Sequence, residues 1–274
     1  DGTGKCFELR APVTMDASGR DALFQRKKKW RKRDPKLNKI AIWTLYKGAK
    51  RDPGVDEGAT TVAYVKGKGW FWNIPLKDDI VSTGIVAERD YLYRDGRDLA
   101  EIYEREIKEN KWVEEHLSEG EQFGEYWVTG EYSYRAESCA ADGLVLIGDA
   151  FAFLDPVFSS GVYLALTTGS LGADAVEKAL VEGDTRGDQF ADYGERVCQG
   201  IEWMRKLVYA FYDEDFSFKD VVTKYAEIRR DLTDCLIGDL IDKDYTELFD
   251  RVSEFAELPK ELPHGKVVSS GAPA

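Results

Sequence analysis

The stretch DGLVLIGDAFAFLDPVFSSGVYLALTTGSLGADAVEKAL, residues 142–180, changes its pattern twice. Leu144 to Ile147 form a short unbroken apolar run, the mark of a strand buried in a parallel sheet. A polar turn follows, then a long helix from about Ser160 to Leu180. Strand, glycine-containing loop and helix together present backbone N–H groups to an anion. Gly148 lets the backbone come close to a ligand, and Asp149 offers a carboxylate to a sugar or polyol hydroxyl. Asp155-Pro156 stiffens the loop. Ser159-Ser160-Gly161 leads into the positive end of the helix. The same residues also read as a strand–loop–helix crossover that holds no ligand, and this stretch alone leaves both readings open.

Toward the N-terminus the pattern is that of strands. KIAIWTLYKGA (39–49), TTVAYVKG (60–67), GWFWNIPL (69–76) and DIVSTGIVA (79–87) are β-branched and aromatic, with Gly- and Asp-containing turns between them. VKGKGW (65–70) reads as a tight hairpin. Amphipathic helices are expected over Leu99–Lys108 and Trp112–Leu117, and EYWVTGEYSYRAES (125–138) returns to strand. The middle of the chain is therefore a mainly antiparallel sheet with a helical excursion. Before it, CFELRAPVTMDASGR (6–20) reads as a strand ending in a turn at Asp16, Ser18 and Gly19, a common turn composition. RKKKWRKR (26–33) sets seven basic residues around Trp30. It reads either as a solvated face or as a dock for an anionic partner, such as an acidic carrier protein or a cofactor phosphate.

Beyond residue 182 the chain is helical. Phe190, Tyr193, Val197, Ile201, Met204, Val208 and Phe211 form one apolar stripe, read as core or else as a lid over substrate. YDEDFSF (212–218) and DLIDKDYTELFD (239–250) are acid-rich without the glycine and ligand order of a calcium loop. The closing VVSSGAPA (267–274) is a small-residue tail expected to be mobile.

A formal charge of −13 over 274 residues disfavours non-specific nucleic-acid binding. No apolar run is long enough to span a bilayer, so a cytoplasmic protein with no membrane role is expected. Cys6, Cys139, Cys198 and Cys235 are too far apart for a zinc or redox motif, and His116 and His264 have no local motif. No metal site is expected.

Trp70, Trp72, Ile74 and Pro75 complete the pattern. Residues two apart on a strand point the same way, so the two indoles share a face. They make either an ordinary core face or a wall beside a site.

In this order, DASGR after a strand, GWFWNIPL in the sheet, and GDAFAFLDPVFSSGVYLAL resemble the FAD-dependent halogenases, members of the flavoprotein monooxygenase superfamily. The likeness is greatest to members acting on phenolic or pyrrolic substrates. It runs to about Phe218, and RRDLTDCLIGDLI (229–241) extends it less specifically. The resemblance implies a p-hydroxybenzoate-hydroxylase-like α/β (α+β) fold. Residues 1–37 would be a remnant of a Rossmann-like FAD-binding domain, 38–137 an antiparallel-sheet substrate domain, 138–182 the FAD-binding strand–loop–helix, and 183–274 a C-terminal helical region.

The resemblance also implies roles. Asp16, Ser18, Gly19 and Arg20 would lie near FAD. Gly148 and Asp149 would meet its ribityl chain, and Asp155, Pro156, Gly161 and Val162 its ring. Ser160 and Gly161 would hold chloride or bromide. Trp70, Trp72, Ile74 and Pro75 match the W-x-W-x-I-P signature, whose indoles keep substrate from the flavin hydroperoxide so that halide is oxidised instead. The partners implied are a flavin reductase supplying FADH2 and an aromatic small molecule, free or bound to a carrier protein.

The family's G-x-G-x-x-G loop and active-site lysine have no counterpart in this sequence, so the chain reads as the C-terminal portion of a halogenase, beginning partway through the flavin domain. Two alternatives remain: an FAD-dependent hydroxylase or reductase of the same superfamily, and a truncated, non-catalytic binding module.

Overall fold

The computed structural model describes residues 4, 6, 8–130 and 132–267. Its strands are β1 Thr14–Asp16, β2 Arg31–Arg33, β3 Lys39–Lys47, β4 Thr61–Val65, β5 Gly69–Pro75 and β6 Ile80–Glu88, followed by β7 Glu121–Thr129, β8 Tyr134–Ala136, β9 Ala140–Ala141, β10 Leu144–Leu146 and β11 Ala152–Phe153. The helices are α1 Leu23–Lys27, α2 Arg89–Leu92, α3 Leu99–Ile107, α4 Lys111–Leu117 and α5 Gly161–Glu182. After them come α6 Ala191–Phe211, α7 Phe218–Lys224, α8 Arg229–Leu236 and α9 Thr246–Val252. The chain divides into two compact units: one holds the chain up to Lys32, Tyr134–Tyr209 and the chain from Phe218, and the other holds Arg33–Ser133 and Ala210–Ser217.

In the first unit the apolar run Leu144–Leu146 is buried and pairs in parallel with β1, Thr14 opposite Leu144 and Asp16 opposite Leu146. β9 closes the other side of β10, antiparallel. The strand expected from Cys6 is shorter than the sequence suggests. Among the described residues of that run only Thr14–Asp16 is in a ladder, because Pro12 has no N–H to donate and Leu9, at 92% exposure, has nothing to pack against. Phe7, within that expected run, and residues 268–274 of the expected tail lie outside the described residues.

Helix α5 lies close on this sheet: a Cβ at Gly172 would stand 3.0 Å from Met15 Cε and 3.1 Å from Ile147 Cγ2. Phe190 and the α6 residues Tyr193, Val197, Ile201, Met204 and Val208 are buried, as a core stripe should be, whereas Phe211 at its end is half-buried and belongs to the second unit. Tyr193 Oη donates to the Leu146 carbonyl at 2.7 Å.

The C-terminal helices, read from the sequence as a region of their own, fall within this unit. Buried Arg135 donates to Glu202 (2.9 Å) and to the Leu262 carbonyl (3.0 Å). Buried Arg205 donates to Glu202 (3.0 Å) and to the Lys260 carbonyl (2.9 Å). These bonds bring β8, α6 and the segment 260–265 together. Burying both arginines beside one carboxylate is tolerable because each charge has a partner.

The second unit is a five-stranded antiparallel sheet in the order β4-β5-β6-β3-β7. Strand alternation sorts its side chains. Ile40, Ile42, Phe71 and Ile85 face α3 and α4, packing with Ile102, Tyr103, Val113 and Leu117. Each such burial contributes roughly 1.5–3 kcal/mol. Asp98 caps α3 by accepting from Glu101 N (3.0 Å), and Asn110 caps α4 by accepting from Val113 N (3.1 Å). Among the described residues no helix is long and apolar enough to cross a membrane.

Candidate functional site

The first unit brings the loop after β1 to the loop after β10. Asp16 is buried and uses both carboxylate oxygens on its own loop. Oδ1 accepts from Ser18 N (3.0 Å) and Ser18 Oγ (2.5 Å), and Oδ2 accepts from Phe24 N (2.9 Å). Gly19 takes φ +61°, which turns the chain there. Arg20 then places its guanidinium 5.3 Å from the Phe153 ring. Asp16 and Ser18 thus shape a loop whose outward-reaching group is Arg20.

Gly148, at φ +52°, sits against α5, where a Cβ would come 3.3 Å from Ala165 Cβ. Its N–H donates to Thr168 Oγ1 at 2.8 Å. The Asp149 carbonyl accepts from Tyr134 Oη at 2.8 Å. The Asp149 carboxylate is half-buried and has no hydrogen-bond donor among the described residues. Burial pushes its pKa up, and the Arg20 charge pulls it back. A carboxylate held this way, with its acceptor sites open, suits a hydroxyl-bearing ligand.

Downstream, Asp155 caps a short 3-10 turn by accepting from Val157 N (3.1 Å), with Pro156 in its first position. Ser159 takes the left-handed conformation at φ +52°. The chain then enters α5, a 22-residue helix, through buried Ser160. Nothing lies within 4 Å of where a Gly161 Cβ would stand, and Val162 is 75% exposed. A cavity of about 200 Å³ is lined by residues that include Asp149, Phe153, Pro156, Ser160 and Gly161. The N–H groups of a helix's first turn have no intrahelical acceptor, so this mouth suits an anion or an electron-rich ring edge.

Sequence reasoning missed the residues that support these loops. Gln25, fully buried, donates to the Ala150 (3.2 Å) and Phe151 (3.0 Å) carbonyls. Arg31, from the basic run, donates to Gln25 Oε1 (2.8 Å) and to the Arg20 carbonyl (3.1 Å), with its guanidinium 4.1 Å from the Tyr134 ring. Lys27, Lys28 and Lys29 are exposed, as the solvated reading expects. A glutamine directly before a basic run was the one available hint, and a weak one.

W-x-W-x-I-P belongs to the second unit, with Trp70, Trp72 and Ile74 on the face of β5 opposite α3 and α4. Trp70 is buried and donates its Nε1–H to Tyr212 Oη (2.8 Å), while Trp72 donates to Ser82 Oγ (3.2 Å). Ile74 pairs with Ser82, and Pro75 closes the strand opposite Val81. The turn that follows is held by Arg51, which donates to the Leu76 (2.7 Å) and Ile80 (3.1 Å) carbonyls. The ring centroids of Trp70 and Trp72 are 6.2 Å apart, tilted at 53°. They form a row of mutually tilted rings continued by Trp43, 6.3 Å from Trp72.

The chain thus holds a parallel strand–glycine loop–helix unit and an antiparallel-sheet unit. Residues 7–227 match the family described as Tryptophan halogenase. The chain belongs to that family.

It is 27% identical over 265 residues to the 1H-pyrrole-2-carbonyl peptidyl-carrier protein chlorinase of Pseudomonas fluorescens, covering 94% of this chain and 59% of that protein. It is 33% identical over 228 residues to the corresponding brominase of Pseudoalteromonas luteoviolacea, covering 79% of this chain and 56% of that one. The solved structure of the flavin-dependent brominase Bmp2 superposes with a TM-score of 0.81 at 27% identity, over 90% of this chain and 63% of that chain. The chain therefore spans somewhat over half the length of these relatives.

Proposed function

We propose that this chain forms part of a flavin-dependent halogenase that acts on an electron-rich aromatic substrate. The observation that carries the reading is the half-buried Asp149 carboxylate, without a hydrogen-bond donor among the described residues and within reach of Arg20's charge, at the mouth of α5. Bound there, reduced FAD would supply the electrons that activate dioxygen toward halide. Asp149 would accept from a ribityl hydroxyl, and Gly148 would let the backbone approach that chain. Asp155 and Pro156 would hold the loop beneath the ring edge. The N–H groups at Ser160 and Gly161 would receive chloride or bromide, a ligand that needs donors and no proton transfer. Val162 would flank the ring. Trp70 and Trp72, with Ile74 and Pro75 fixing the strand's end, would wall off the substrate.

The relatives named for pyrrole-carrier-protein halogenation favour a substrate tethered to a carrier protein, and exposed Lys27–Lys29 would offer opposite charge to an acidic one. A separate reductase would deliver FADH2. Free thiols at Cys139, Cys198 and Cys235 fit a reducing compartment such as the cytoplasm.

The test is turnover by the whole protein with FADH2, dioxygen and a phenol or a carrier-bound pyrrole. A halide-dependent product bearing one halogen in place of hydrogen is expected. A product that gains one oxygen without halide would replace this reading with a hydroxylase.

A further inference from the structure

The sheet of the second unit aligns its indoles in a way that the two-tryptophan wall does not require. Trp72 on β5 is opposite Gly84 on β6, Gly84 is opposite Trp43 on β3, and Trp43 is opposite Trp127 on β7. With Trp70 beside Trp72, successive ring centroids are 6.2, 6.3 and 6.0 Å apart. Exposure rises along the row, from 3% at Trp70 through half-buried Trp72 and Trp43 to 37% at Trp127. We propose that Trp70, Trp72, Trp43 and Trp127 form a hole-transfer path that carries oxidising equivalents across the sheet to the edge strand β7.

Indole is among the side chains most easily oxidised by one electron, and rings at near-contact spacing exchange electrons readily. The row therefore gives a hole on Trp72 somewhere to go before water or dioxygen can attack the ring. The other end of the row is anchored by hydrogen bonding. Trp70 is tied to Tyr212, and the Lys39 ammonium, itself paired with Glu88 at 2.6 Å, lies 4.1 Å from the Tyr212 ring.

The balance is simple. A peroxide-derived hydroxyl radical takes one electron from Trp72 and one proton from solvent and becomes water, leaving an indole radical cation. An electron from Trp43 refills Trp72, and one from Trp127 refills Trp43. Exposed Trp127 loses its Nε1 proton to water. A soluble thiol then returns a hydrogen atom, and the resulting thiyl radicals couple to a disulfide. The need for such a path rests on the proposed oxidative chemistry. The path itself does not.

The test uses no flavin or halide, so its failure and the failure of halogenation are separate results. Cys6→Ser removes the exposed native thiol, and Val62→Cys, opposite Trp72 on β4 at a position 41% exposed, carries a ruthenium polypyridyl photo-oxidant. After flash oxidation, oxidised indole is mapped by peptide mass. We expect a transient indole radical and product mainly at Trp127. Trp43→Phe should abolish product at Trp127 and leave it on Trp72 and Trp70, and Trp43→Tyr should restore part of the transfer. Product at Trp127 unchanged by Trp43→Phe, or confined to Trp72 with the row intact, overturns the proposal. Should Trp43→Phe fail to fold, Trp127→Phe gives the same reading. Damage should then stop at Trp43, and an even spread over the remaining indoles would overturn the path.

Discussion

Trp72 lies across Gly84. A Cβ at position 84 would overlap the six-membered ring of Trp72 and stand 2.5 Å from Trp43 Cβ. The glycine is the slot through which indoles on β5 and β3 approach each other over the intervening strand. Gly84→Ala should therefore force both rings aside, at a cost of about 1–3 kcal/mol for overpacking. A thermal melt and the near-UV circular dichroism of the coupled indoles measure this. An unchanged spectrum would mean that the slot does not set the row.

Asp149 links stability and ligand binding with opposite signs. Burial holds its pKa above the ordinary carboxylate value. Such a group favours the fold in acid, and that contribution is lost as pH rises through the folded pKa. Asp149→Asn should raise the melting temperature at neutral pH, with the gain shrinking as pH falls toward the ordinary carboxylate range. The same variant should weaken FAD about tenfold to a hundredfold in the whole protein, since a hydrogen bond to a charged acceptor is worth roughly 1.5–3 kcal/mol. Flavin fluorescence quenching reads the second effect, and a stabilised variant with unchanged FAD affinity would separate the two.

Glu202 accepts from two buried arginines, Arg135 and Arg205, and the Leu262 N–H also donates to it at 3.1 Å. Glu202→Ala would remove the carboxylate that buried Arg135 and Arg205 share, a loss of about 3–5 kcal/mol for breaking a buried ion pair. The segment 260–265 should become the first protease-sensitive site, because its Lys260 and Leu262 carbonyls are held by those two arginines. Limited proteolysis followed by mass analysis checks the order of cleavage.

These contacts separate what local pattern reveals from what pairing decides. The runs 39–49 and 69–76 announce strands through β-branched and aromatic content, and the stripe from Phe190 to Val208 announces a buried helix face. Both are properties of neighbouring residues. The parallel match of Thr14–Asp16 with Leu144–Leu146 joins distant parts of the chain, and nothing near Thr14 encodes it. Gly84 acquires its meaning only once three strands are in register. Arg31 reads as one of seven like charges until Tyr134 and Gln25 supply a flat ring and an acceptor. The Gly148–Asp149 loop could be located from its own residues, whereas the Gln25 and Thr168 bonds that hold it depend on chain brought in from elsewhere.

The cysteines give a last prediction, about reactivity. Cys139, Cys198 and Cys235 are buried and Cys6 is exposed. Burial raises all three buried thiols, Cys198 to about 11 and Cys235 to about 12, with Cys139 higher still. Because the thiolate is the nucleophile, these groups should stay unreactive to iodoacetamide at mildly alkaline pH while the fold is intact. Cys6 should alkylate at once, and the other three only when denaturant opens the first unit, in one cooperative step. Alkylation of Cys198 ahead of unfolding would show that α6 opens locally beside the Arg135–Glu202 pair, and the predicted rigidity of that network would fail with it.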